Sequence, residues 1–161
     1  YVNNYDDNAA VKYLEKLMII DSSNNEYMIK LSNVYLNLFD FKHAYFWANK
    51  SINTNNHLGK SYFQRAEVLV QTAENYRSDE LDFCDRLIYD LASEDYQKAY
   101  DNNNFNGLRY KNNLKGLITT VGDWFLIGDK YLEMSPGSLE CSTLKDSDCY
   151  SFIKDRVVEK K

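Results

Sequence analysis

A single proline, Pro136, interrupts 161 residues, and only six glycines accompany it. Proline removes a backbone donor and clashes with the preceding turn, so its absence from residues 1–135 leaves that stretch free to be helix. The apolar pattern uses this freedom. Met28, Leu31, Val34, Tyr35 and Leu38 recur at helical spacing. Phe41, Ala44, Tyr45, Ala48 and Ile52 do so again behind Asp40, whose short carboxylate suits a helix N-cap. Ser23 with Glu26 reads as a capping box opening the first of these helices. The link at Phe39 and Asp40 is short, which makes the two helices antiparallel neighbours. The same reading along the chain predicts helices near 7–20, 25–38, 41–54, 59–76, 79–101, 108–119, 123–134 and 147–159.

A chain of this length fits one domain and buries a core without metal or disulfide staples. Fourteen tyrosines and eight phenylalanines supply large packing side chains. A net charge of −5 argues against the basic face of a nucleic-acid binder. No apolar run approaches the roughly 18 residues that span a bilayer, so direct membrane insertion is not expected. The chain begins at Tyr1 and not Met, so the lack of a secretory signal decides nothing. Three cysteines are too few for a disulfide scaffold. Cys84 sits on an apolar helical face and reads as core. Cys141 and Cys149 are either free thiols or, outside the cytoplasm, a bridge stabilising by about 2.5 kcal/mol on the chain-entropy model.

The small and large residues also repeat. With Asn25 as the first position of a 34-residue unit, Leu31 and Ser32 are positions 7 and 8 and Tyr35 is position 11. Phe39-Asp40-Phe41 fill positions 15–17, with Ala44, Ala48 and Ser51 at 20, 24 and 27. Small residues let two helices approach, and large ones fill the gaps between them. This pattern resembles the tetratricopeptide repeat (TPR), with departures: Phe39 stands where the motif has glycine, Ala48 where it has an aromatic, and Asn56 where it has proline. Backwards in register, Ala10, Leu14 and Leu17 mark the second helix of an incomplete repeat over about 7–24. Forwards, the units run over 25–58, 59–106 and 107–135, with a C-terminal cap over 136–161. The unit at 59–106 is expanded around "ENYRSDELDFCDRL", and its two helices are expected to gain roughly 10 Å each at about 1.5 Å per residue. "GDW" at Gly122–Trp124 is close to the motif's Gly-Asp-Tyr, and a helix over 147–159 would cover the last apolar face.

The resemblance implies an all-α, right-handed solenoid of antiparallel helix pairs with one expanded hairpin and a C-terminal capping helix. It implies a non-catalytic scaffold that binds a protein or peptide segment in a concave groove lined by the first helix of each pair. Carried over residue by residue, the groove positions are Glu26, Ile29, Asn33, Leu36 and Asn37, then Lys60, Phe63, Glu67, Val70 and Gln71, then Leu108, Lys111, Lys115, Ile118 and Thr119. Asn33, Asn37, Lys60, Phe63, Glu67 and Lys111 are the expected partner-binding set, with Phe63 as central anchor. Of the carboxylate clamp some members use, only Asn33 is present; Ile29, Gln64, Leu108 and Asn112 occupy its other places. The stretches "LDFCDRLIYDLASEDYQKAY", "GDWF" and "CYSFI" look like envelope-associated TPR proteins of Gram-negative bacteria, which implies a periplasmic or membrane-associated location and a larger assembly.

Catalytic and metal signatures are missing. His43 and His57 are the only histidines and form no helical metal pair, and nothing holds either as a base beside a nucleophile. The loop at Asp146-x-Asp148 has Ser151 and Val157 where a calcium-binding EF loop needs glycine and glutamate. Asp79, Glu80, Asp82 and Asp85 read as a solvated face at a helix N-terminus, where the dipole favours anions. Trp47 and Trp124 read as packing residues. No cofactor is expected. Two rival readings remain: a structural segment of a longer helical array, and a small-molecule-binding or enzymatic helical domain.

Overall fold

A computed structural model describes residues 4–77, 79–125, 131–134, 150, 152–153 and 156–159. Seven helices and two short strands lie among the described residues. The helices are α1 (Asn4–Ile20), α2 (Asn25–Asn37), α3 (Phe41–Thr54), α4 (Gly59–Tyr76), α5 (Phe83–Asp101), α6 (Asn106–Asn113) and α7 (Val121–Trp124). The strands are β1 (Tyr131–Met134) and β2 (Arg156–Glu159), an antiparallel pair in the register Tyr131↔Glu159 to Met134↔Arg156. No helix among the described residues is long and apolar enough to cross a membrane.

Each helix from α1 to α6 packs on its neighbour in sequence, and α2 also packs on α4. The small residues set these contacts. Ser32, Ala44, Ala48, Ser51, Ala66, Ala92 and Ala99 are all fully buried. Ser32 Oγ donates to the Ala44 carbonyl at 2.8 Å, and the hydroxyls of Ser51 and Ser61 meet at 2.7 Å, so the polar seam residues are satisfied where the backbones come close. Val11, Leu14 and Met18 of α1 form a small core with Met28 and Leu31 of α2. A larger core runs from Leu36, Phe41 and Ala44 through α4 and α5 to Leu114, Trp124, Tyr150 and Ile153.

The expected helices at 41–54 and 59–76 are found with those bounds, and α1 and α2 differ from expectation by a few residues at one end. The cap of α2 is Asn24, whose side chain accepts from the backbone N–H groups of Glu26 and Tyr27. Ser23 does not form the expected box; its hydroxyl and N–H turn to Asp21. Asp40 caps α3 as expected, accepting from His43 N–H at 3.1 Å. The expanded hairpin is two longer helices: α4 and α5 have 18 and 19 residues against 13 and 14 in α2 and α3. Five extra residues in each add about 8 Å, less than expected, because Arg77 and residues 79–82 are not helix.

The C-terminal third departs from the expected all-α plan. The helix expected over 108–119 ends at Asn113, and that expected over 123–134 is replaced by α7 and strand β1. Residues 156–159 of the expected capping helix 147–159 are strand β2, so this end of the core is covered by a segment that includes a β-ribbon. Short apolar runs do not by themselves separate helix from strand, and a pairing partner about 25 residues away leaves no local trace.

Gly59 and Gly107 both press on α5. A β-carbon on Gly59 would stand 2.4 Å from the Asn102 carbonyl oxygen, and one on Gly107 would stand 2.2 Å from that of Tyr96. Both obstacles are backbone, so an added methyl must push a helix aside. Gly59→Ala and Gly107→Ala should each lower unfolding free energy by about 2 kcal/mol or more. Urea denaturation checks this, with Gly116→Ala, which meets nothing within 4 Å, as the tolerated control.

Candidate interaction surface

The three helices expected to line a groove are neighbours. Lys60 of α4 lies within electrostatic reach of Glu26 of α2. The Phe63 ring of α4 stands 4.9 Å from the Tyr110 ring of α6, edge to face. Asn33, Asn37 and Lys60 are exposed on this side, as are Glu26 and Lys30, which pair at 2.9 Å.

The other three expected partner residues have work inside the helix stack. Phe63 is half-buried between Tyr110 and Tyr96, the latter ring 5.3 Å away. Glu67 accepts the hydroxyl proton of buried Tyr96, and Lys111 donates to Gln97 Oε1 at 2.8 Å. Among the remaining positions, Leu36 and Thr119 are buried, Ile29, Val70 and Ile118 half-buried, and Gln71, Leu108 and Lys115 exposed. Truncating Phe63 to alanine should therefore lower stability, by about 2 kcal/mol for a half-buried ring, and not leave the fold untouched.

Histidines and tryptophans are accounted for locally. His43 is exposed, stacks on Tyr35 at 5.1 Å and bonds Asp40 Oδ2 at 2.8 Å; His57 is exposed. Trp124 is fully buried and donates to Thr119 Oγ1 at 2.7 Å. Trp47 is half-buried, with Lys50 Nζ 4.8 Å above its ring. The loop at Asp146-x-Asp148 and the residues Cys141 and Cys149 lie outside the described residues.

Several buried polar groups were not expected. Helix α5 carries three buried aspartates, and each holds a group from elsewhere in the chain. Asp85 accepts from Tyr150 Oη at 2.6 Å, so it belongs to the core and not to a solvated acidic face. Asp90 accepts from Thr119, through its N–H at 3.3 Å and its hydroxyl at 2.5 Å. Asp95 is wholly buried and takes two bonds from Arg65, both 2.7 Å, and two from Arg156, 3.0 and 3.1 Å. Arg65 also donates to Asn49 Oδ1 of α3 at 2.5 Å. The sequence did contain a signal: Arg65 and Asp95 interrupt apolar stripes that otherwise face the core. Cys84 lies in the core as expected, and it is also disulfide-bonded.

Electrostatics follow from these contacts. Burial alone would push the Asp95 carboxyl up, but the guanidinium groups of Arg65 and Arg156 win and hold it below the usual carboxylate range. Its contribution to stability is present above the ordinary carboxylate pKa and is lost as pH falls through the depressed value. Burial, helped by the bond to Glu67, pushes the Tyr96 phenol up, and Tyr89 is raised in the same way by burial and Glu74. Tyr35 is pushed up to about 12 by burial and its bond to Glu15.

Two measurements test this reading. Asp95→Ala should cost about 3–5 kcal/mol in denaturant unfolding, because it leaves two guanidiniums without their carboxylate. The raised phenols stabilise fully below the ordinary tyrosine pKa of about 10, and that contribution is lost as pH rises through their higher folded values. Unfolding free energy should therefore begin to fall near pH 10, and less steeply in Tyr96→Phe.

No family model, no curated protein and no solved structure matches the chain.

Proposed function

We propose that the chain is a TPR-like, right-handed helical solenoid acting as a non-catalytic scaffold, with a protein or peptide segment as its partner. The observation that carries this is the placement of α2 against α4 and of α4 against α6, the latter through Phe63 and Tyr110. Their free side offers Asn33, Asn37 and Lys60, groups that bond a peptide backbone and a carboxylate. Phe63, Glu67 and Lys111 support that surface from behind, so the partner meets a polar strip backed by aromatic packing.

The disulfide at Cys84 favours an oxidising compartment, in line with a periplasmic or membrane-associated location within a larger assembly. A second reading, a structural segment of a longer helical array, has its own support: Tyr13, Ile19 and Ile20 of α1 are 63%, 83% and 82% exposed, an apolar face suited to another helix.

Partners captured from the native source and identified by mass spectrometry supply the ligand for titration calorimetry. Replacing Asn33, Asn37 and Lys60 together by alanine should leave circular dichroism unchanged and weaken binding tenfold or more, about 1.4 kcal/mol at 25 °C. Unchanged affinity in the triple variant sinks the groove reading. Binding weakened instead by Tyr13→Ser with Ile20→Ser favours the array.

A further inference from the structure

The bond at Cys84 plays no part in the groove. The chain has three cysteines, Cys84, Cys141 and Cys149. Cys84 is disulfide-bonded, so its partner in the chain is Cys141 or Cys149, and those two are not bridged to each other while that bond stands. Cys84 lies in the first turn of α5 at 6% exposure, in the same core cluster as Tyr150 and Ile153. The next residue, Asp85, accepts from Tyr150 Oη at 2.6 Å. The residue before Tyr150 is Cys149. Bridged cysteines have Cα atoms about 4.4–6.8 Å apart, and adjacent residues are about 3.8 Å apart along the chain. The contact of Asp85 with Tyr150 thus brings the residue before each of them into one neighbourhood. Cys141 stands eight positions further back, and that contact does not fix its place.

From Tyr150 onward the described residues lie on three helices. The Tyr150 ring meets that of Tyr76 of α4 at 6.3 Å, and Phe152 meets Tyr45 of α3 at 5.5 Å. Ile153 is 2% exposed in the main core. Arg156 bonds Asp95 of α5, and its side chain is 10% exposed. Along α5 these holds run from Asp85 to Asp95 in the same order as the residues that make them. Each is a side-chain contact that can open by local fluctuation. A covalent bond at the head of the row cannot.

We propose that Cys84 pairs with Cys149, and that this bond is a redox-sensitive clamp which a dithiol reductant opens to let Tyr150, Ile153 and Arg156 lift from α5. The chemistry is thiol–disulfide exchange. One thiolate of the reductant attacks the bridge and forms a mixed disulfide, and its second thiol displaces the protein sulfur. Cys84 and Cys149 end as thiols, having gained two electrons and two protons between them, and the dithiol ends as a disulfide. With the bond in place, the segment stays tied to the start of α5 however often its side-chain contacts open. With it cut, those contacts alone hold it. Opening takes Tyr150 and Ile153 out of the main core and leaves Asp95 with Arg65, so a redox change reaches the buried ion cluster. The clamp is independent of the groove on α2 and α4.

The test uses the full chain. Digestion without reductant should give one linked peptide pair, carrying Cys84 and Cys149, and maleimide should label Cys141 alone. A pair linking Cys84 to Cys141, or no linked pair, overturns the assignment. The clamp is read by hydrogen exchange followed by NMR at the Ile153 amide, which donates to the Tyr150 carbonyl at 3.0 Å. Dithiothreitol should speed exchange there at least tenfold and leave the amides of α2 and α3 unchanged. Cys84→Ala should exchange fast at Ile153 without reductant and ignore dithiothreitol, and Cys141→Ser should behave as the native chain does. Equal Ile153 exchange in oxidised and reduced protein, or equal acceleration throughout α2 and α3, overturns the clamp. The reduced native chain gives this result even where Cys84→Ala does not fold. The alanine triple variant at Asn33, Asn37 and Lys60 should keep the linked pair and the slow exchange, so failure of the clamp leaves the groove standing.

Discussion

The carboxylate of Asp95 lies at zero exposure between two guanidiniums, and much of the structure hangs on it. An isolated charge in such a place would be too costly to keep. Two arginines with matched bidentate geometry offset the cost, and they come from different parts of the chain, α4 and β2. Asn49 adds α3 through Arg65, and Glu94 approaches Arg156 at 3.4 Å from the solvent side. One aspartate therefore fixes how the α4–α5 hairpin sits on α3 and where the C-terminal segment ends. A buried ion cluster of this kind contributes less net stability than its contact count suggests, because desolvation opposes it. It contributes selectivity of arrangement: sliding a helix by one turn would strand a charge.

Around this point the packing is conventional in its physics. Small side chains sit where helices cross, and the hydroxyls among them bond across the seam. Tyrosines bridge the larger gaps while pairing their hydroxyls with carboxylates, as in Tyr35 with Glu15, Tyr89 with Glu74 and Tyr96 with Glu67. Each such pair lets a long aromatic ring fill apolar space without leaving its polar end unmet. The surface left over after this packing is polar on α2 and aromatic at the α2–α3 turn, the faces the core did not need.

Much of the helical part was legible in the sequence, for a local reason. The alternation of small and large residues from Asn25 to Tyr76 specifies both the helix and its contact face, and neither depends on distant partners. Phe39 shows the same logic from the other side. It occupies the place where the repeat motif has glycine, and its φ of +60° shows that the turn demands a left-handed residue whatever side chain stands there. The strands at 131–134 and 156–159 were hidden because their pairing is non-local, and "RVVE" follows a helical spacing that Tyr150 and Ile153 begin. For the surface, exposure of Asn33, Asn37 and Lys60 followed from their positions. Half-burial of Phe63 did not, because Tyr110 reaches it from a helix with a weak apolar pattern. The buried charges were legible only as anomalies: an arginine and three aspartates on faces that otherwise belong to the core.

Those three aspartates are spaced five residues apart along α5. Five residues turn a helix by about 500°, so successive carboxylates point about 140° from one another and together ring the helix. Helix α5 is thus a mast stayed from three sides: by Tyr150, by Thr119, and by Arg65 with Arg156. A ribosome adds these stays in order. Arg65 is already made when Asp95 emerges, but Arg156 follows 61 residues later. Until Thr119 and then Tyr150 follow, the mast stands on its first stay alone. The balanced pair of Arg65 and Asp95 is the one neutral half of the cluster the growing chain holds at that stage, and Arg156 is the last of the four stays to be added.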